Sequence, residues 1–144
     1  MFRVSLEDRT IEQVADTGGF CLGMAFNAEG KLFVCDSRYA AVFRFRPDTG
    51  RLELFAKEAE GIVPDGLAVD SLGRLYVSYY EPSAVSRVGL DGTVETIRYD
   101  LEAIVLYHPT NCAFRGTSLF TVNLGKCHIT ELAVGIEGNP LPPV

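Results

Sequence analysis

The chain repeats itself. Gly23-Met24-Ala25-Phe26, a polar turn over residues 27–30, and Lys31-Leu32-Phe33-Val34 recur 43 residues later as Gly66-Leu67-Ala68-Val69, a turn over residues 70–73, and Arg74-Leu75-Tyr76-Val77. The same spacing carries Val42-Phe43-Arg44-Phe45 onto Val85-Ser86-Arg87-Val88 and Asp48 onto Asp91. A period of this size, made of short alternating strands and turn residues, is the signature of a β-propeller blade. Such a unit buries its apolar faces only against neighbours, so the repeat constrains the whole chain to be a stack of sheets.

Taken in order, the expected fold is all-β, a β-propeller of four-stranded blades forming a single partial domain over residues 1–144. Residues 1–16 form a half blade, because Arg3 aligns with Arg44 and Ile11-Glu12 with Leu52-Glu53. Residues 20–57 and 63–99 form complete blades, with hairpins turning at Pro47-Asp48-Thr49-Gly50 and Leu90-Asp91-Gly92. Residues 108–135 form an incomplete blade, and residues 136–144 a tail too rich in Gly and Pro to extend a ladder. Residues 101–106 read equally as a helical turn or an extended crossover. About three blades per chain is too few to close, since propellers need four to eight. The chain is therefore expected to supply half of a six-bladed propeller, as a homodimer or as a fragment of a longer protein.

Composition narrows the function. With 144 residues, 47% hydrophobic and 22% charged, the chain is long enough to bury a core. A net charge of −6 and no run of Lys or Arg exclude a general nucleic-acid or anionic-membrane surface. Neither a leader-like apolar segment nor a membrane-spanning run is evident, so a cytoplasmic location is expected. Cys21, Cys35, Cys112 and Cys127 lack the close spacing of zinc or redox motifs and read as free thiols, Cys35 and Cys112 as small buried hydrophobes.

In a propeller, the loops entering each first strand and those joining second to third strands gather at one mouth of the channel. Here these are residues 18–22, 36–39, 62–65, 79–83, 107–111 and 123–126. Asp65 reads as a carboxylate able to hold a hard cation and activate water, or as a turn residue before Gly66. His108 reads as an acid–base group or a solvent-facing turn residue. Arg38 and Lys126 read as holders of an acidic substrate or of a substrate carbonyl, or as solvated charges. Tyr79, Tyr80 and Tyr107 form a pocket wall or cover blade interfaces. Asn111 serves a substrate or caps its own loop. No nucleophile elbow, Walker loop or dinucleotide fingerprint occurs.

Val63-Pro64-Asp65-Gly66-Leu67-Ala68-Val69-Asp70 with Gly73-Arg74-Leu75-Tyr76-Val77, then His108-Pro109-Thr110-Asn111-Cys112-Ala113-Phe114, then the Gly/Pro tail, resemble the C-terminal half of the SMP-30/gluconolactonase/LRE-like family. Related propellers resembling strictosidine synthase share the repeat without the metal. The resemblance implies a six-bladed lactone hydrolase using one divalent cation, Ca²⁺ first, with Mg²⁺, Mn²⁺ or Zn²⁺ as alternatives. It implies Asp65 as both metal ligand and general base. The family's metal-binding Asn falls on Leu22, which cannot ligate, and its Glu lies in a half without counterpart here. Asp36, Asn111, Asn123 or Glu81 are then the nearest substitute ligands. Arg38, Glu81, His108, Asn111 and Lys126 are the candidate substrate-binding residues. The expected function is metal-dependent hydrolysis of a small lactone or ester. The alternative is a non-catalytic module binding a small ligand or a protein partner.

Overall fold

The computed structural model describes residues 1–140; the last four residues of the expected tail lie outside the described residues. Thirteen strands form four antiparallel sheets among the described residues, and none of these residues is helical. The first sheet pairs β1 (Phe2–Val4) with β2 (Ile11–Gln13). The second runs β3 (Cys21–Phe26), β4 (Leu32–Asp36), β5 (Ala41–Arg46) and β6 (Arg51–Lys57). The third runs β7 (Val63–Val69), β8 (Leu75–Glu81), β9 (Ala84–Val88) and β10 (Val94–Tyr99). The fourth has β11 (Pro109–Arg115), β12 (Ser118–Asn123) and β13 (Ile129–Ala133).

Residues 101–106, ambiguous in sequence, are neither helix nor strand. The Asp100 carboxylate accepts the backbone N–H groups of Val105 (2.6 Å) and Leu106 (2.8 Å), and the loop drops Leu106 into the core. Those two donors hold the Asp100 carboxyl below its usual value.

The apolar alternation explains how the sheets stack. Successive side chains of a strand point to opposite faces, so a strand covered on both sides is apolar throughout. Leu32, Val34 and Phe45 pack toward the first sheet, with Val14 and Ala15. Phe33, Cys35 and Val42 pack on Leu67, Leu75 and Val77 of the third sheet. Ala68, Tyr76 and Val85 pack in turn on Cys112 and Leu119 of the fourth, with Leu106 filling the gap. Each large side chain so buried contributes about 1.5–3 kcal/mol.

All four cysteines are free thiols, Cys35 and Cys112 buried; desolvation pushes both thiols up, Cys112 to about 12. No described helix is long and apolar enough to cross a membrane.

The first strands β3, β7 and β11 lie side by side, closer than side chains allow. A methyl group on Gly23 would sit 2.2 Å from the Asp65 carbonyl oxygen, and one on Gly66 would sit 2.4 Å from the Asn111 Cα. Glycine is what lets these backbones meet. Pro64 and Pro109 are tolerated because each lies on the first strand of its sheet, whose inner edge has no ladder to complete.

Candidate functional site

Each first strand carries an irregularity at the same place. Along β3 the register passes from Cys21↔Asp36 to Met24↔Val34, and along β7 from Pro64↔Tyr79 to Leu67↔Val77. Along β11 it passes from Pro109↔Asn123 to Asn111↔Val122. In all three the first strand contributes one residue more than its partner, which is a β-bulge, and a bulge re-aims the side chain it carries. The three bulges hold Leu22-Gly23, Asp65-Gly66 and Thr110. In the middle one the Gly66 N–H, freed from the ladder, donates to Ser78 Oγ at 3.1 Å.

Asp65 is thus the acid of an arc whose equivalent positions carry a hydrocarbon, Leu22, and a hydroxyl, Thr110. It is half-buried, and no described residue donates a hydrogen bond to its carboxylate. Burial alone raises its pKa, since nothing compensates the loss of water around the charged form.

The other acid and amide foreseen at the mouth are occupied. Asp36 is wholly buried, and its carboxylate accepts the Thr17 hydroxyl (2.5 Å) and the N–H groups of Phe20 and Tyr39 (both 3.1 Å). A methyl group on Gly19 would sit 2.2 Å from that carboxylate, so this glycine lets the loop close over it. Asn123 occupies the equivalent end of β12, accepting the Tyr107 N–H (3.1 Å) and donating to Thr130 Oγ1 (2.9 Å). Both side chains organise their own loops. Asn111 is exposed, its amide oxygen turned back to the Cys112 N–H at 2.9 Å. Arg38 donates to the Gly18 carbonyl at 3.1 Å.

A second group assembles between the third and fourth sheets. His108 Nδ1 lies 2.8 Å from the Tyr80 carbonyl and 3.2 Å from Glu81 Oε1. Its ring lies between those of Tyr80 and Tyr107, at centroid distances of 4.7 and 4.8 Å. Lys126 lies over the far side of this set, 5.3 Å from the Tyr107 ring, while donating to the Ala103 carbonyl at 2.8 Å. His108 takes a left-handed backbone (φ +51°), uncommon outside glycine. The structure therefore brings Glu81, His108 and Lys126 together with two tyrosines, and leaves Asp36 and Arg38 on a separate loop.

Among the described residues, no three His, Cys, Asp or Glu side chains converge as a metal site. Asp65 stands with Leu22 and Thr110 where further carboxylate or amide oxygens would be needed, so the residues present do not make up a divalent-cation set.

One acid escaped the sequence reading. Glu58, after β6, is half-buried and its Oε1 accepts the Tyr79 hydroxyl at 2.6 Å. Burial raises its pKa, against the smaller lowering effects of Tyr79 and Lys57. Tyr79, expected at a blade interface or pocket wall, spans from the third sheet to the end of the second, and burial, then the same bond, raise its own pKa. The only sequence hint was an acid in a connection otherwise rich in solvated charge.

Stacked antiparallel sheets with bulged first strands meeting at a half-buried carboxylate define a propeller-like, all-β chain. The sequence model of the SMP-30/Gluconolactonase/LRE-like region matches residues 1–123, and the chain belongs to that family. It is similar to the strictosidine synthase-like 6 protein of Arabidopsis thaliana, 35% identical over 75 residues that make up 50% of this chain and 20% of that protein. Among solved structures it resembles a gluconolactonase from Xanthomonas campestris, 23% identical with a TM-score of 0.71, covering 91% of this chain and 51% of the other. It also resembles the calcium-binding protein regucalcin from Agrobacterium tumefaciens, 20% identical with a TM-score of 0.72, covering 99% and 54%. These structural likenesses establish the fold. The chain spans about half the length of the solved structures and a fifth of the plant relative.

Proposed function

We propose that this chain supplies half of a six-bladed, lactonase-like propeller, with Asp65 as the general base that opens a small lactone or ester. The observation that supports this reading is the state of Asp65. It is a half-buried carboxylate, free of hydrogen bonds from described residues, with its pKa raised by desolvation. A base so placed accepts a proton more readily than a solvated aspartate, and proton removal from water as it attacks a carbonyl carbon is worth about 10²–10⁴ in rate. The set of His108, Glu81 and Lys126 supplies polar contacts at the same mouth, and Tyr80 and Tyr107 a ring-shaped surface.

Gluconolactonase and regucalcin likenesses support a lactone-type substrate and a family tie to divalent metals. Since the residues described here do not complete a cation set, further ligands would come with the other half of the ring. That half is drawn from a second copy of the chain or from a longer polypeptide. A solution mass near twice 15.8 kDa supports the second copy, and a monomer removes it.

The reading is tested by following ring opening of γ- and δ-lactones at constant pH, with and without Ca²⁺. Asp65→Asn is expected to lower the rate by about two orders of magnitude or more. Equal rates for the two proteins would remove Asp65 from the chemistry. A second reading, a binding module without catalysis, has its own observation in Leu22, an apolar side chain where the neighbouring bulge carries Asp65. Saturable lactone binding without turnover in either protein would favour it.

A further inference from the structure

A pocket of about 420 Å³ lies between the second and third sheets, both of which have all four strands. The β4–β5 loop bounds it on one side and the β6–β7 connection on the other, and Arg38, Tyr39, Lys57, Glu60, Ile62 and Val63 line it. That volume falls in the range of small-molecule sites, about 300–1,000 Å³. The β4–β5 loop is held in one shape. The Asp36 carboxylate accepts the Tyr39 N–H at 3.1 Å, the Tyr39 hydroxyl donates to the Gly18 carbonyl at 3.3 Å, and Ala40 takes a left-handed backbone (φ +46°) that residues with a side chain disfavour.

Two cations share this pocket without an acid to neutralise them. Arg38 donates to the Gly18 carbonyl at 3.1 Å and lies 5.7 Å from the centre of the Tyr39 ring, while Lys57 donates to the Tyr39 carbonyl. These partners are neutral. Arg3, Arg44, Arg74 and Arg87 each form an ion pair with a carboxylate, whereas among the described residues Arg38 and Lys57 form none. The Arg38 guanidinium uses one donor on Gly18, and the rest of its planar fork suits a carboxylate. Glu60 decides the charge of what can enter. It lines the same pocket, so the walls sum to a single positive charge, which favours a monoanion over a dianion. Ile62 and Val63, both half-buried, add an apolar wall that an inorganic anion would leave uncovered.

We infer that this pocket binds a small monocarboxylate with an apolar body, its carboxylate held between Arg38 and Lys57 and its hydrocarbon lying against Ile62 and Val63. The loop is ready for such a ligand, because Tyr39 fixes both cations, one by its ring and the other by its carbonyl. No group used in the proposed hydrolysis lines the pocket: Asp65, Glu81, His108 and Lys126 all lie outside it. The site therefore stands or falls separately from the chemistry at Asp65.

The test is a titration of the full chain with hexanoate, hexanol and adipate at low salt, followed through backbone amide chemical shifts. Hexanoate is expected to saturate at the amides of residues 37–40 and 61–63, about threefold to tenfold more tightly than either the uncharged alcohol or the dianion. Arg38→Gln and Lys57→Gln, both at exposed positions, are each expected to weaken hexanoate by a similar factor while the circular dichroism spectrum stays unchanged. Glu60→Gln is expected to narrow the advantage of hexanoate over adipate, and Asp65→Asn to bind hexanoate as the unaltered chain does. The inference is overturned if hexanol or adipate matches hexanoate, if the saturating shifts fall outside these residues, or if hexanoate binds Arg38→Gln and Lys57→Gln as tightly as the unaltered chain. It is equally overturned if Asp65→Asn loses hexanoate, because the carboxylate then sits at the Asp65 mouth.

Discussion

Two aspartates mark the two ends of β7, and they have opposite surroundings. Asp70, just past the strand's last residue, is wholly buried and fully engaged. Its Oδ1 accepts the N–H groups of Leu72 (2.9 Å) and Arg74 (3.0 Å), and its Oδ2 accepts Arg74 Nε at 2.7 Å. Asp65, in the bulge at the other end, is half-buried and receives no such bonds. A buried charge held by three hydrogen bonds fixes a turn, whereas a partly buried one that receives none is available to a ligand or a proton. One strand thus separates the end that holds the fold from the end that carries the free carboxylate.

The contrast is most sharply tested at the structural end. Asp70→Ala leaves the Arg74 guanidinium and two turn N–H groups without their acceptor and is expected to cost about 3–5 kcal/mol, a large part of a domain's stability. Asp70→Asn keeps an acceptor for the backbone donors and should lose less. Urea unfolding of both variants measures this. A cost for Asp70→Ala below about 1 kcal/mol would place it with ordinary surface substitutions and dissolve the distinction.

Gly66→Ala tests the bulge itself. The added methyl would lie 2.4 Å from Asn111 Cα and 2.6 Å from Ser78 Oγ, and the first of these is backbone that cannot swing aside. A loss of about 1–3 kcal/mol is expected, as for other overpacked sites. A smaller loss in the urea midpoint would mean that β7 and β11 separate easily.

Asp65→Asn should leave stability within about 0.5 kcal/mol. The direction follows from the pKa. Because the folded carboxyl titrates above its ordinary 3.8, folding favours the protonated form, and that contribution fades as pH rises through the folded value. The neutral amide should therefore be slightly the more stable protein at neutral pH. Thermal midpoints of the two proteins compared at neutral pH check the sign, and a clear loss would reveal a structural bond to Asp65.

The repeat made much of this fold readable. Leu32 to Val34 and Leu75 to Val77 are apolar on both faces because each strand lies between two sheets, and the hairpins declare themselves through Pro, Asp and Gly. The bulges were not readable, because they depend on which residue pairs with which across two strands. Only the glycines after Leu22 and Asp65 hint at them. Asp36 looked like a free mouth carboxylate for a related reason. Its donors come from residues 17–21 and Tyr39, which converge only when the loops pack.

The smallest effect separates charge from hydrogen bonding beside the Asp65 connection. Glu58 accepts the Tyr79 hydroxyl, and a glutamine there still presents a carbonyl oxygen to the same hydroxyl. Glu58→Gln therefore removes the ionisable group and retains the bond. Burial raises the Glu58 pKa above its ordinary 4.5, so the wild-type carboxyl stabilises the fold when protonated. That contribution is fully present below 4.5 and is lost as pH rises through the folded value. The two proteins should match in stability at acid pH and diverge toward neutrality, with the glutamine variant the more stable. Urea midpoints measured across that range give the result. A variant that is weaker at neutral pH would show that the attraction of Lys57 for the carboxylate outweighs its desolvation. The connection to Asp65 would then be held by charge.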